Sequence, residues 1–242
     1  GEWGGIYFDA RSEKSTLKYT VLKNCGSSTG VGLPAALYLA PDSVNDNDYQ
    51  LKMYNTIVEN SIGYGILGFR SSVRGENCLI NTCGAQGLAT FEGGQYDFYH
   101  TNFINYGTNK VSDTNEPTVA LINYRDIDDV NYIASELYAS FTNCVIYGSL
   151  ENELFARRKG PGNFNVTMDH CLIKSKDGIA DSIGLINCIM NQDPQFEDYG
   201  NWNYRPKSSS PLVNAGVQVT GIDIDITGKT RSAPYDIGAY EY

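Results

Sequence analysis

The chain contains no run of about 18 apolar residues, so no helical segment of it is built to span a bilayer. Its opening, Gly1-Glu2-Trp3-Gly4-Gly5, lacks the basic start and apolar core of a signal peptide, and any export signal is expected upstream of residue 1. Basic residues are few. Eighteen lysines and arginines face 28 aspartates and glutamates, a net charge of −10, which argues against nucleic acid or an anionic membrane as partner and favours a neutral or cationic one. With two histidines and no CxxC pair, zinc chemistry has no support. GxSxG, HExxH and a phosphate-binding glycine loop are also missing, which removes the usual marks of serine-hydrolase, metalloprotease and nucleotide chemistry. No proline-rich or low-complexity linker divides the 242 residues, so one domain is expected. Amphipathic helical runs are confined to two short candidates, 130–137 and 150–158.

What the chain does have is repetition. Asn55, Ile57, Gly65, Ile66 and Phe69 are answered 22 positions later by Asn77, Leu79, Gly87, Leu88 and Phe91. A fixed period of this length marks units that cannot bury an apolar face alone and must stack on their neighbours. Related segments at 17–26, 51–60, 73–84, 98–107, 141–148, 166–175 and 183–191 extend the series to seven. Their strands are short, rich in Ile, Val, Leu, Tyr and Thr, and punctuated by Asn, Gly and Ser. The period is too short for a propeller blade and lacks the leucine frame of a leucine-rich repeat. The expected fold is therefore all-β: a single-stranded right-handed parallel β-helix, its asparagines hydrogen-bonding along a sharp turn. Because both alternating sets in a repeat are partly apolar, the pattern leaves open whether Cys78 or Leu79 faces inward.

Six cysteines would permit three disulfides. Cys78, Cys144, Cys171 and Cys188, however, follow Asn or His at equivalent places in successive repeats. Stacking would set such side chains about 4.8 Å apart, beyond the Cβ separation that a disulfide prefers. They read as small apolar packing residues, mostly reduced.

Insertions interrupt the period at 40–50, 108–139 and 150–163, and a solenoid carries its function on such loops rather than in its core. After residue 191 the pattern changes. Asp193-Pro194-Gln195-Phe196, Tyr204-Arg205-Pro206, Ser210-Pro211-Leu212-Val213-Asn214-Ala215-Gly216 and Asp236-Ile237-Gly238-Ala239-Tyr240-Glu241-Tyr242 form the final segment, with Asp225, Gly228 and Arg231 between them. This tail resembles the one that closes many secreted bacterial parallel β-helix proteins of the pectate-lyase-like superfamily, and the opening Trp3-Gly4-Gly5-Ile6 is similar to a repeat of the same proteins. The resemblance runs over essentially the whole chain. It implies a secreted or cell-surface protein associated with polysaccharides, without fixing an activity. Residues 1–191 are then the repeats and 192–242 a C-terminal cap on the same solenoid. Such a cap is expected to cover the unpaired edge of the last coil, pinned by Arg231 with Asp225 or Asp236.

Eighteen tyrosines offer amphipathic ring faces suited to polar ligands such as sugars, although tyrosine also favours strands for its own sake. The long insertion places Tyr124, Tyr132 and Tyr138 as candidate glycan-binding residues. It also holds Arg125-Asp126-Ile127-Asp128-Asp129, and the next insertion holds Arg157-Arg158-Lys159. Asp126 and Asp128, two apart on an extended segment, would share a face and with Asp129 suit Ca²⁺. Lys159 or Arg158 would be the base of a Ca²⁺-assisted lyase acting on a uronate polymer. The acidic loop 42–48 is a looser calcium-like cluster that ordinary turn chemistry explains. His100 and His170 lack an evident catalytic partner, and no carboxylate pair recurs at the repeat period as a glycosidase would require. Asn165-Val166-Thr167 fits a glycosylation acceptor by chance. Without a complete catalytic set, the sequence favours polysaccharide binding over catalysis, with a structural adhesin or stalk as the further alternative.

Overall fold

A computed structural model describes residues 2–12, 14–27, 32–42, 48–106, 116–180 and 182–242. In it the repeat asparagines Asn55, Asn77, Asn143 and Asn187 take the left-handed conformation, with φ of +47°, +51°, +54° and +50°. Asparagine tolerates this region better than other side-chain-bearing residues, so each marks one sharp turn. Tyr19, His100 and His170 occupy the same place in the remaining repeats, where their amides donate to the next repeat as the asparagines do.

The short strand after each turn adds to a seven-stranded parallel sheet: Val21–Lys23, Ile57–Glu59, Leu79–Asn81, Asn102–Asn105, Val145–Gly148, Leu172–Ile173 and Ile189–Met190. The opposing sheet has eleven strands and is likewise parallel throughout. The described residues contain no α-helix, only one 3-10 turn at Tyr199–Asn201. The fold is thus all-β and built on long parallel sheets, an arrangement compatible with a solenoid.

The main core lies between the two sheets. Leu22, Val58, Ile80, Phe103, Ile146 and Ile173 from one meet Leu37, Ile66, Val73, Phe98, Phe141 and Met168 from the other. Equivalent aromatic rings stack at the ladder spacing: Phe98 and Phe141 lie 5.6 Å apart, nearly parallel, and Phe103 meets Phe98 edge-on at 5.0 Å. Gly75 keeps this stack possible, since a Cβ there would lie 2.5 Å from Phe98 Cδ1. Gly65 of the repeat motif similarly lets its strand approach Ile80 and Cys83.

The inward phase belongs to Cys78, which joins this core, while Leu79 faces out. Both are buried because the seven-stranded sheet is covered on both faces, the usual origin of continuous apolar runs in parallel strands. All six cysteines are free, and burial raises the Cys78 and Cys83 thiols to about 12.

The outer cover is the C-terminal segment. Phe196, Tyr204, Leu212, Ile237, Ala239 and Tyr240 pack on Leu79, Ile104, Val145 and Leu172, each large apolar side chain contributing about 1.5–3 kcal/mol. Polar contacts follow the turn column. Asn55 Nδ2 donates to Asp225 O and Asn77 Nδ2 to Ile224 O, both at 2.8 Å. Asn102 Oδ1 accepts from Ala239 N at 3.0 Å, and Asn143 exchanges bonds with Val217 at 2.6 and 2.9 Å. This corrects three expectations. The segment straps the flank of the sheet across successive repeats instead of lying over the last coil. The Asn55, Asn77 and Asn143 amides bond to the strap instead of to one another. Arg231, its side chain 0% exposed, pairs with Glu241 at 3.1 Å and also donates to Asn77 Oδ1 and Gly238 O. Asp225 and Asp236 act on the Arg231 charge without a direct ion pair to it, and accept backbone amides that order turns of the strap.

The end of the sheets near the last repeat stays open. Met168 is fully buried, but Leu185, its register partner one layer on, is 42% exposed.

Two of the expected insertions are not loops. Residues 116–139 contribute the strand Val119–Ile122, paired with Leu88–Tyr99 on one side and Leu154–Arg157, from the third insertion, on the other. A hairpin, Tyr124–Asp126 with Tyr132–Ala134, follows. Residues 107–115, and 43–47 of the acidic loop, lie outside the described residues.

Candidate functional site

The two longest strands, Tyr64–Glu76 and Leu88–Tyr99, pair along most of their length but slip register between Phe69 and Ser71. At this bulge Arg70 and Glu92 adopt φ of +40° and +60°. Charged residues held in the left-handed region cost on the order of 1–2 kcal/mol each, and outside the repeat turns such outliers are grounds for looking for function.

Around the bulge lie three adjoining recesses. The first, about 340 Å³, is lined by Tyr38, Pro41, Phe69, Glu92 and Arg125. The second, about 390 Å³, has Ser71, Ser72, Gly94 and Gln95 among its lining residues, together with Asp42, Arg70, Glu136 and Tyr138. It meets the first at the consecutive pairs Pro41/Asp42 and Phe69/Arg70. The third, about 500 Å³, shares Ser135 and Glu136 with the second and reaches Tyr132 and the turn at Gly160, Pro161 and Gly162. The hairpin and the loop after Arg157 thus form one bank of this row of adjoining recesses, the groove.

Each part is fixed by polar contacts. Glu92, 3% exposed, accepts from Arg125 Nε at 2.5 Å. Tyr138, 40% exposed, donates its hydroxyl to Glu136 at 2.9 Å and accepts from Asn163 at 3.1 Å. Beside Gln95, the Tyr49 hydroxyl donates to Asp97 while Gln95 Nε2 bonds to both. Burial, reinforced by the Asp97 carboxylate, raises the Tyr49 hydroxyl to about 12, so it remains a donor at neutral pH.

Lys159 reaches the hairpin. Its ammonium contacts Asp126 at 2.5 Å and lies 4.4 Å from the Tyr124 ring centre and 5.5 Å from that of Tyr132. Buried Asn123 holds it there, accepting from Lys159 N at 2.8 Å and donating to Lys159 O at 3.0 Å and Ser135 O at 3.1 Å. Asp126, Lys159, Tyr124 and Tyr132 are therefore together. The remaining candidates are not. The strand ends at Asp126, so Asp128 falls in the turn, where its carboxylate accepts the Val130 and Asn131 amides and the Asn131 side chain. Those bonds hold its carboxyl below the usual range. Asp129 and Arg158 are exposed outside the cluster. Among the described residues no three His, Cys, Asp or Glu side chains form a set able to hold a metal ion, so Asp126, Asp128 and Asp129 are not gathered into one cation site. Tyr124 also differs from expectation: at 7% exposure, beneath Lys159, it offers no free ring face, whereas Tyr132 remains 44% exposed.

Sequence reasoning passed over Tyr38, Glu92 and Arg70 as site residues, and quoted Arg125 only as part of the acidic cluster, without a role. Phe69 was visible as a motif position, and Arg70 and Glu92 directly follow the paired phenylalanines Phe69 and Phe91, but their left-handed backbone is invisible in a string of residues. No protein-family model matches the chain, and no curated protein is significantly similar to it, so the groove stands on its own geometry.

Proposed function

We propose that the chain is a secreted or cell-surface right-handed parallel β-helix protein that binds polysaccharide along this groove. The observation that carries the reading is the run of three adjoining recesses, in which Tyr132 and Tyr138 offer exposed rings beside hydrogen-bonded carboxylates, amides and hydroxyls. Open, elongated and mixed in polarity, such a groove suits an extended chain of rings and hydroxyls better than a compact apolar ligand. The lyase alternative needs Asp126, Asp128 and Asp129 gathered around a cation beside Lys159, and only Asp126 reaches it.

The test is a glycan array followed by calorimetry on neutral and acidic polysaccharides, with Tyr132→Ala and Tyr138→Ala as variants. Binding that weakens in both variants supports the reading. Silence across the array would refute it, and self-association without sugar binding would favour a stalk. Appearance of ultraviolet-absorbing unsaturated product from uronate polymers with calcium would favour the lyase.

A further inference from the structure

The first recess has a feature that narrows the ligand. Tyr38 and Phe69 form its apolar wall, rings 5.6 Å apart, in a row that continues to Phe91 at 5.5 Å and Tyr7 at 5.4 Å. Against that wall stands the Glu92–Arg125 pair, with the guanidinium carbon 6.0 Å from the Phe69 ring centre. The Glu92 side chain is only 4% exposed and that of Arg125 45%, so the carboxylate is the fixed partner and the guanidinium the presented one. Glu92 engages Nε alone, and among the described residues the guanidinium makes no other hydrogen bond. Its outer N–H groups, in a planar fork, remain for a ligand.

Resting on the polysaccharide reading above, we infer that this recess takes one neutral hexose ring of the polymer, and that Arg125 is its specificity residue. The C–H groups of the ring pack against the open edges of the Tyr38 and Phe69 rings. Vicinal hydroxyls, each both donor and acceptor, accept from the Arg125 fork and donate to the Glu92 carboxylate. A uronate ring is disfavoured because the charge of Arg125 is already matched by Glu92 inside the recess, and because the chain as a whole carries −10. A sugar hydroxyl uses both halves of the pair; a carboxylate would use the guanidinium and be repelled by its partner.

The test uses the intact chain, with calorimetry against galactomannan, β-glucan and arabinoxylan on one side and polygalacturonate and alginate on the other, each at low and high salt. The variants are Arg125→Ala, Arg125→Lys and Glu92→Gln, with circular dichroism to confirm the fold. The expected result is binding of at least one neutral polymer with little salt dependence, weakened tenfold or more by Arg125→Ala and partly restored by Arg125→Lys. Arg125→Ala is read at an exposed side chain, so the result does not depend on whether Glu92→Gln folds. Tightest binding to the uronate polymers, falling steeply with salt, would overturn the inference and leave the polysaccharide reading intact. So would unchanged affinity in Arg125→Ala. No binding to any polymer would overturn both.

Discussion

Acidification probes the fully buried one of the two histidines that stand at the asparagine position of the turn column. His100 is fully buried, its Nε2 3.0 Å from Asn143 Nδ2, beneath the strap that carries Arg231. Burial, with the Arg231 charge in addition, lowers its pKa to about 3, against about 6.5 for an unfolded histidine. Between those values the unfolded chain binds a proton that the folded chain refuses, so stability falls as pH drops below about 6.5 and is regained as pH rises. The linkage relation gives a loss of about 2 kcal/mol at pH 5 relative to neutral pH. His100→Asn installs the residue that Asn55, Asn77 and Asn143 already carry at this left-handed turn, so the backbone is suited to it. Denaturant unfolding at pH 7 and pH 5 should show the parent losing about 2 kcal/mol more than His100→Asn over that interval. Any packing change from the substitution is common to both pH values and cancels in this difference. Equal pH dependence in the two proteins would show that the buried ring does not exclude the proton, and the reasoning would fail.

Other expectations follow from packing and the strap. Gly75→Ala should destabilise by about 1–3 kcal/mol in denaturant unfolding, because Phe98 is wedged between Phe103 and Phe141 and has nowhere to move; a neutral effect would mean the ring stack yields. Glu241→Gln removes the hydrogen-bonded counter-charge of the fully buried Arg231, leaving only the more distant Asp225 and Asp236 carboxylates to act on it, and should cost about 1.5–3 kcal/mol. Limited proteolysis should then cut within 192–242 before the repeats, and uniform resistance would argue against the strap's dependence on this pair. Arg70→Asn relieves a left-handed residue at an exposed site and should raise stability by about 0.5–1 kcal/mol. A lowered melting temperature would show that Arg70 makes a contact worth more than the strain.

The repeat motif can now be read position by position. Asn55 and Asn77 make the turn and meet the strap; Ile57 and Leu79 lie under it. Gly65 permits close approach, Ile66 and Leu88 fill the core, and Phe69 and Phe91 stack beside the groove. These were legible because each repeat imposes the same local demand on the same position. The groove was less so. Its key residues follow the motif phenylalanines, on a bulge that no periodicity signals, and its far bank is a hairpin whose turn consumes Asp128. The apparent insertions at 108–139 and 150–163 concealed paired strands because lengthening a repeat breaks the period without removing its strand. The strap's site was misread for a different reason: doubly apolar strands reveal that a sheet is covered on both sides, but not by which segment.

Repetitive proteins ordinarily gain and lose units freely, since each layer touches only its neighbours. Here the strap touches Asn55, Asn77, Asn102 and Asn143 at fixed points along a single stretch of chain. It acts as a ruler laid against the stack. Inserting or deleting one layer between Asn55 and Asn143 would shift later anchoring points by about 4.8 Å and put them out of step with their partners. The number of layers in this part of the molecule is therefore held by a segment that is not itself repetitive, and the length of the groove is held with it.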